Sequence, residues 1–189
     1  MTKRNIKKNL IMAPMPVLII GTYDENGVPN AMNAAWGTQC DMDAITIFLA
    51  KHKTTENLKL KKAFTVAFAT KETLVESDYF GIESGHKIDK ISRAGFHTVK
   101  AEYVDAPVIE EYPVTLECEV LEMAEDEDGY RLIGKVLNVV AEESVLDEKG
   151  RVDLGKLNLI SYDSATHSYR VIGDIVGQAF QDGLVLKKK

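Results

Sequence analysis

Apolar positions along the chain fall into short runs separated by polar clusters that end in glycine, at Asp24-Glu25-Asn26-Gly27, Asp126 to Gly129 and Asp147-Glu148-Lys149-Gly150. A polar cluster closing on glycine between two apolar runs marks a hairpin loop. The pattern predicts strands over 17–22, 30–36, 44–50, 64–69, 114–123 and 132–141, with weaker ones over 159–162 and 169–172. Runs 114–123 and 132–141 straddle one turn and alternate in part, so they form a long antiparallel pair. Helices are predicted over 54–62, 71–80 and 88–94, the first ending in lysines that complement its dipole and the last closed by Gly95. They interrupt the strands without alternating regularly, which favours a barrel or sandwich over a doubly wound sheet.

Composition adds limits. The 189 residues are 45% hydrophobic and 28% charged, ordinary for one globular domain spanning 1–189, with only 187–189 as a frayed tail. The net charge of −6 argues against unspecific nucleic-acid binding, which draws on surplus Lys and Arg. Cys40 and Cys118 form no C-x-x-C pair, and two separated thiols suit a reducing cytoplasm. Lys3, Arg4, Lys7 and Lys8 precede an apolar run from Leu10 to Gly21, superficially like a secretory signal. Pro14 and Pro16 interrupt that run, and it is too short to span a bilayer, so a cytoplasmic protein without a membrane segment is expected.

Three clusters carry candidate chemistry. In Lys51-His52-Lys53-Thr54-Thr55-Glu56-Asn57 a helix opens just after a strand. With Thr54 as N-cap, free backbone donors would face the same space as Lys51 and Lys53, a pocket for phosphate. The alternative is a plain cap with solvated lysines. In the segment from Gly81 to Lys90, Gly85 permits close backbone approach, Ser84 can donate a hydrogen bond, and Lys87 and Lys90 supply cations. Its alternative is a turn between helices in which Asp89 pairs a lysine. In Pro29-Asn30-Ala31-Met32-Asn33-Ala34-Ala35-Trp36-Gly37, small residues beside two carboxamides suit a flat heterocycle; the alternative is close strand packing with Trp36 in the core. His52, His86, His97 and His167 have no metal-ligand spacing, and neither a P-loop nor G-x-G-x-x-G is present. No catalytic side chain is assigned.

In order, these clusters resemble the flavin reductase-like, flavoredoxin-type family. The resemblance begins with Pro16-Val17, Gly21-Thr22-Tyr23 and the 29–37 cluster. It continues through Thr54-x-x-Asn57, Ala63-Phe64-Thr65-Val66, Asp78-Tyr79-Phe80-Gly81, Ser84-Gly85, Asp89-Lys90, Val104-Asp105-Ala106-Pro107 and Leu116-Glu117-Cys118, and ends in Tyr169-Arg170-Val171-Ile172-Gly173 and Gly177-Gln178-Ala179-Phe180. It implies a mainly β fold, an FMN-binding split barrel: a mostly antiparallel six-stranded Greek-key barrel with peripheral helices, commonly a homodimer. It implies Asn30 and Trp36 at the isoalloxazine, the backbone of Met32, Asn33 and Ala34 at its polar edge, and Thr54 and Asn57 at phosphate or ribityl oxygens. Ser84 and Gly85 would close the site, and Lys90 would meet the anionic end or flavin edge. Lys51, Lys53 and Lys87 are added on charge alone.

Two segments depart from the family pattern. Cys40-Asp41-Met42-Asp43-Ala44 stands where members carry a Ser-x-x-Pro-Pro-like loop, and Lys51-His52 stands where many have arginine. The implied function is an FMN-dependent oxidoreductase passing electrons from a donor such as NAD(P)H, or a protein donor, to an acceptor. The flavin carries the chemistry, which accounts for the missing triad. The alternatives are a flavoredoxin-type carrier without NAD(P)H turnover and a barrel without cofactor. The acidic total is compatible with an anionic cofactor, because charge is segregated. Residues 1–62 hold nine basic and five acidic side chains, whereas 102–148 hold two and fifteen.

Overall fold

The computed structural model describes residues 1–7 and 11–187. Lys8, Leu10 and the tail at 188–189 lie outside the described residues. In chain order the strands are β1 (Met15–Pro16), β2 (Leu18–Tyr23), β3 (Pro29–Ala34), β4 (Gly37–Gln39), β5 (Ala44–Ala50), β6 (Ala63–Phe68), β7 (Thr98–Lys100), β8 (Pro107–Ile109), β9 (Val114–Glu125), β10 (Gly129–Ala141), β11 (Ile160–Asp163) and β12 (Ser168–Val171). The helices are α1 (Lys53–Lys61), α2 (Leu74–Ile82), α3 (Lys90–Ala94) and the short α4 (Leu184–Lys187).

The main sheet runs β3-β2-β6-β9-β10-β5-β4, antiparallel throughout. Its two edge strands, β3 and β4, are joined by Ala35 and Trp36 alone. Two linking residues reach only about 10 Å, so the sheet has to curl until its edges meet. That is the split barrel, and its six long strands are those that the apolar runs predict.

Period-two burial explains the continuous apolar runs. Leu18 and Ile20 of β2 point into the barrel with Met32, Ile47, Leu49, Phe64, Val66, Cys118 and Leu132, and Leu58 of α1 packs with them. Val17, Ile19, Ala31 and Ala67 face the other way, under Phe80 of α2 and Ile91 of α3. Both faces are thus covered, each buried aliphatic contributing about 1.5–3 kcal/mol. Gly134 sits at a bulge of β10, where the Phe64 ring fills the space a β-carbon would take.

Several boundaries differ from the sequence expectation, for local reasons. The strand predicted over 30–36 stops at Ala34, and Trp36 is 67% exposed at the corner instead of filling the core. Strand β4 has no apolar alternation to announce it and is set by pairing with β5. The helix expected from 71 starts at Leu74, because the Thr70 and Thr73 hydroxyls bond each other's backbone N–H at 3.0 and 3.3 Å and hold a turn instead. Helix α1 starts one residue early, so Thr54 is inside it and His52 is the N-cap. Helix α3 starts at Lys90, capped by Asp89, whose carboxylate accepts the Ser92 N–H at 3.0 Å; Gly95 is its left-handed C-cap, as expected. The 147–150 cluster makes a tight turn closed by a single Leu146–Val152 bridge, with no long strands beside it. Strand β11 pairs with β1 on one side and β12 on the other in a separate small sheet.

Candidate functional site

The strand-to-helix junction at 51–56 meets the end of α2 and the 83–86 loop, Lys90, Tyr130 and the middle of β3 around a cleft of about 540 Å³. Three of its walls follow from local chain geometry. The first turn of α1 contributes His52 to Glu56. An α-helix leaves its first N–H groups without intrahelical acceptors and its positive dipole end exposed. The hydroxyl of Thr55 accepts the His52 N–H at 2.9 Å and donates to the His52 carbonyl at 2.7 Å, which fixes the angle at which the chain enters the helix.

The second wall is a close approach. Asn30 of β3 is buried and donates from Nδ2 to Thr54 Oγ1 at 2.9 Å. Its Oδ1 occupies the space that a β-carbon on residue 85 would need. Only glycine allows the 84–86 loop to lie this near β3. Ser84 lies beside it, its hydroxyl accepting the His86 N–H at 3.3 Å.

The third wall is Lys90, 5% exposed, whose Nζ donates to the Phe80 carbonyl at 2.8 Å. An ammonium has three donors. Burial, only partly offset by Glu83, pulls its pKa down to about 8. Below that pH it stays charged, a buried cation suited to an anion. Burial and then the charges of Lys90 and His86 hold the His52 imidazole below its usual range.

Charge is tethered at the rim. Lys53 Nζ lies 3.2 Å from Asp24 of the β2–β3 turn. Lys51 reaches Glu125 at 2.8 Å, a bond that raises its pKa. Lys59 donates to the Tyr130 hydroxyl at 2.6 Å and stands 4.3 Å over that ring's centroid.

Of the residues singled out in the sequence, the cleft brings together Asn30, Met32, Asn33, Lys51, Lys53, Thr54, Ser84, Gly85 and Lys90. It does not bring in four others. Ala34 packs in the barrel core, and Trp36 is at the exposed corner. Asn57 is buried beneath α1, donating to Thr22 Oγ1 at 3.0 Å, and Lys87 is exposed outside the cleft. Thr54 contributes from inside the helix as a partner of Asn30, not as the cap. Ten further residues line the cleft, among them His52, Lys59, Phe80, Glu83, His86 and Tyr130. Tyr130 was hidden because only the β10–β5 register, Tyr130 opposite Leu49, brings it beside Lys51.

Asn33, Gly81 and Ile82 also line a second cleft of about 410 Å³ with Asp78, Tyr162, His167 and Tyr169. There the Tyr169 hydroxyl donates to Asp78 at 2.6 Å, and Tyr162 and His167 share a hydrogen bond of 2.8 Å. Burial first, then the bond to the Asp78 carboxylate, raises the Tyr169 pKa. The two clefts share Asn33, Gly81 and Ile82 as lining, with lysines around the first and tyrosines around the second, and the pair is termed the trough. Among the described residues no group of three or more His, Cys, Asp or Glu could hold a metal, and no helix is long and apolar enough to cross a membrane.

A model of the flavin reductase like domain matches residues 12–168. Flavoredoxin of Desulfovibrio vulgaris (Miyazaki F) is 29% identical and superposes with a TM-score of 0.91 over 96% of this chain and 100% of that one. Flavoredoxin from Methanosarcina acetivorans, also 29% identical, gives 0.90 over 98% and 100%. An FMN-binding protein from Thermus thermophilus shares the fold at 22% identity, with a TM-score of 0.75 over 94% of this chain and 99% of that one. The chain belongs to the flavin reductase like domain family and is a flavin-related protein of oxidoreductase type built on the split barrel.

Proposed function

We propose that the chain is a single-domain, cytoplasmic, FMN-dependent oxidoreductase that works as a homodimer and takes electrons from NAD(P)H. The observation that carries this reading is the buried Lys90 ammonium, spending one bond on a backbone carbonyl beside the first turn of α1 and the glycine-85 cradle. A buried cation, helix N-terminal donors and a glycine-only backbone approach together suit a phosphorylated ligand. The family, the flavoredoxin likenesses and the FMN-binding relative from Thermus thermophilus support FMN as that ligand.

Lys90, Lys53 and the first-turn N–H groups of α1 counter the phosphate, and Thr54, held by Asn30, presents its hydroxyl to the same end. Ser84 and Gly85 close over the chain of the ligand. Met32 and Asn33 offer a wall for the ring where the two clefts share lining residues, with the Phe80 ring buried behind. Bound FMN supplies the hydride and electron transfer. The protein binds and orients, and no side chain of the trough is assigned a proton-transfer role.

A second reading, an electron carrier without NAD(P)H turnover, is favoured by the two flavoredoxin likenesses. An absorption spectrum of the purified protein with FMN, followed by anaerobic NADH or NADPH, separates the two. Flavin bands that bleach on nicotinamide addition support the reductase. A bound flavin that does not respond supports the carrier, and failure to bind FMN overturns both.

A further inference from the structure

From Gly173 onwards the chain forms an arm that is not buried against the rest of the described residues. Every residue from Gly173 to Lys187 is exposed, including Ile175 at 85%, Val176 at 100%, Phe180 at 95% and Leu186 at 71%. The arm nevertheless has internal structure. The Gln178 carbonyl accepts the N–H groups of Gln181 and Asp182, each at 3.2 Å, the Asp182 carboxylate accepts the Gln178 N–H at 2.9 Å, and α4 follows. A built segment that presents apolar side chains to water marks an interaction surface.

The same molecule leaves an apolar groove of about 900 Å³ at the end of the barrel, walled by Ile45, Phe68, Leu116, Val136 and Val139, with Met42 at the rim. Ile172, the last residue before the arm, is part of that wall. Its N–H is tied to the Leu159 carbonyl at 2.9 Å. The arm therefore leaves from the edge of the groove while none of its residues is buried there.

We propose that the arm, residues 173–187, docks in the apolar groove of a second copy of this chain, and that the second copy's arm fills this one's groove. Two-fold contacts pair the same surfaces reciprocally. With each arm rooted at the edge of its own groove, a two-fold axis beside Ile172 carries it directly into the partner's groove. An extended stretch over 173–178 spans about 20 Å, enough to cross such a groove. Apolar side chains and an apolar groove then cover each other. The inference deepens the two-copy reading above and is independent of the flavin.

The test places a photoreactive benzoylphenylalanine at position 180 and mixes ordinary with isotope-labelled full-length chains before irradiation. The expected result is a covalent dimer whose cross-linked peptides, from 39–47 or 136–139, carry the other chain's label. Val176→Asp with Phe180→Asp, and separately Met42→Asp, should each raise the dimer dissociation constant at least 100-fold with unchanged far-UV circular dichroism. Cross-links confined to one chain would overturn the exchange, as would a dimer cross-linked elsewhere, which leaves the two-copy reading standing. A full-length chain that sediments as a monomer would overturn both.

Discussion

The side-chain oxygen of Asn30 occupies the space a β-carbon on residue 85 would require, while its amide nitrogen holds Thr54 at 2.9 Å. One carboxamide thereby sets the spacing between β3, the first turn of α1 and the 84–86 loop. Gly85→Ala must push Asn30 off Thr54 or the loop off the strand. The expected result is a loss of FMN affinity of about tenfold or more, from about 1.4 kcal/mol of lost contact, with little change in far-UV circular dichroism. Fluorescence titration with FMN measures it.

Lys90 gives a pH signature. Its pKa in the folded protein, about 8, lies below the ordinary lysine value of 10.5. The unfolded chain therefore binds more protons between those values, and this residue's contribution to stability rises as pH climbs from 8 towards 10.5. Affinity for an anion changes in the opposite sense, because the charge that attracts it is lost above pH 8. FMN affinity should fall by up to about tenfold per pH unit above 8. In Lys90→Met it should be weaker at pH 7 and nearly flat over this range. Isothermal titration at pH 7, 8 and 9 checks both.

Asn57 separates support from contact. Its amide faces Thr22 beneath α1 and does not line the cleft. Asn57→Ala should cost about 1–3 kcal/mol of stability, since the Thr22 hydroxyl is left buried without this donor. FMN affinity of the folded protein should stay within about threefold, a change under about 1 kcal/mol. Urea unfolding beside an FMN titration reads the two effects apart.

Much of this was legible in the sequence. Val17 to Ile20 read as a strand because both faces are buried, and 88–94 read as a helix because Gly95 closes it, whereas the Asp89 cap that starts it at Lys90 did not stand out. The glycine at 85 and the cations around 51–53 and 90 pointed to the cleft, since such chemistry is local in the chain. Trp36 does not take the core-filling alternative, because the tight passage between the two sheet edges turns it outwards. Tyr130 and the Tyr162–His167 pair were hidden because they reach the trough only through long-range strand pairing and sheet closure.

The barrel interior makes its own prediction. The Phe64 ring fills the space over Gly134 at the β10 bulge. Gly134→Ala should overpack the core and destabilise by about 1–3 kcal/mol. Phe64→Leu in the same chain should recover part of that loss, because the smaller side chain vacates the space. Thermal or urea unfolding of the single and double variants measures the coupling.

The central claim is that the cleft between the first turn of α1, Gly85 and Lys90 holds the phosphate end of FMN. A crystal structure of the protein with FMN tests it most directly. The account predicts flavin density in the trough, with phosphate oxygens within hydrogen-bond distance of Lys90 Nζ or the first-turn N–H groups of α1. Density elsewhere, or an empty trough in crystals whose protein binds FMN in solution, would contradict it.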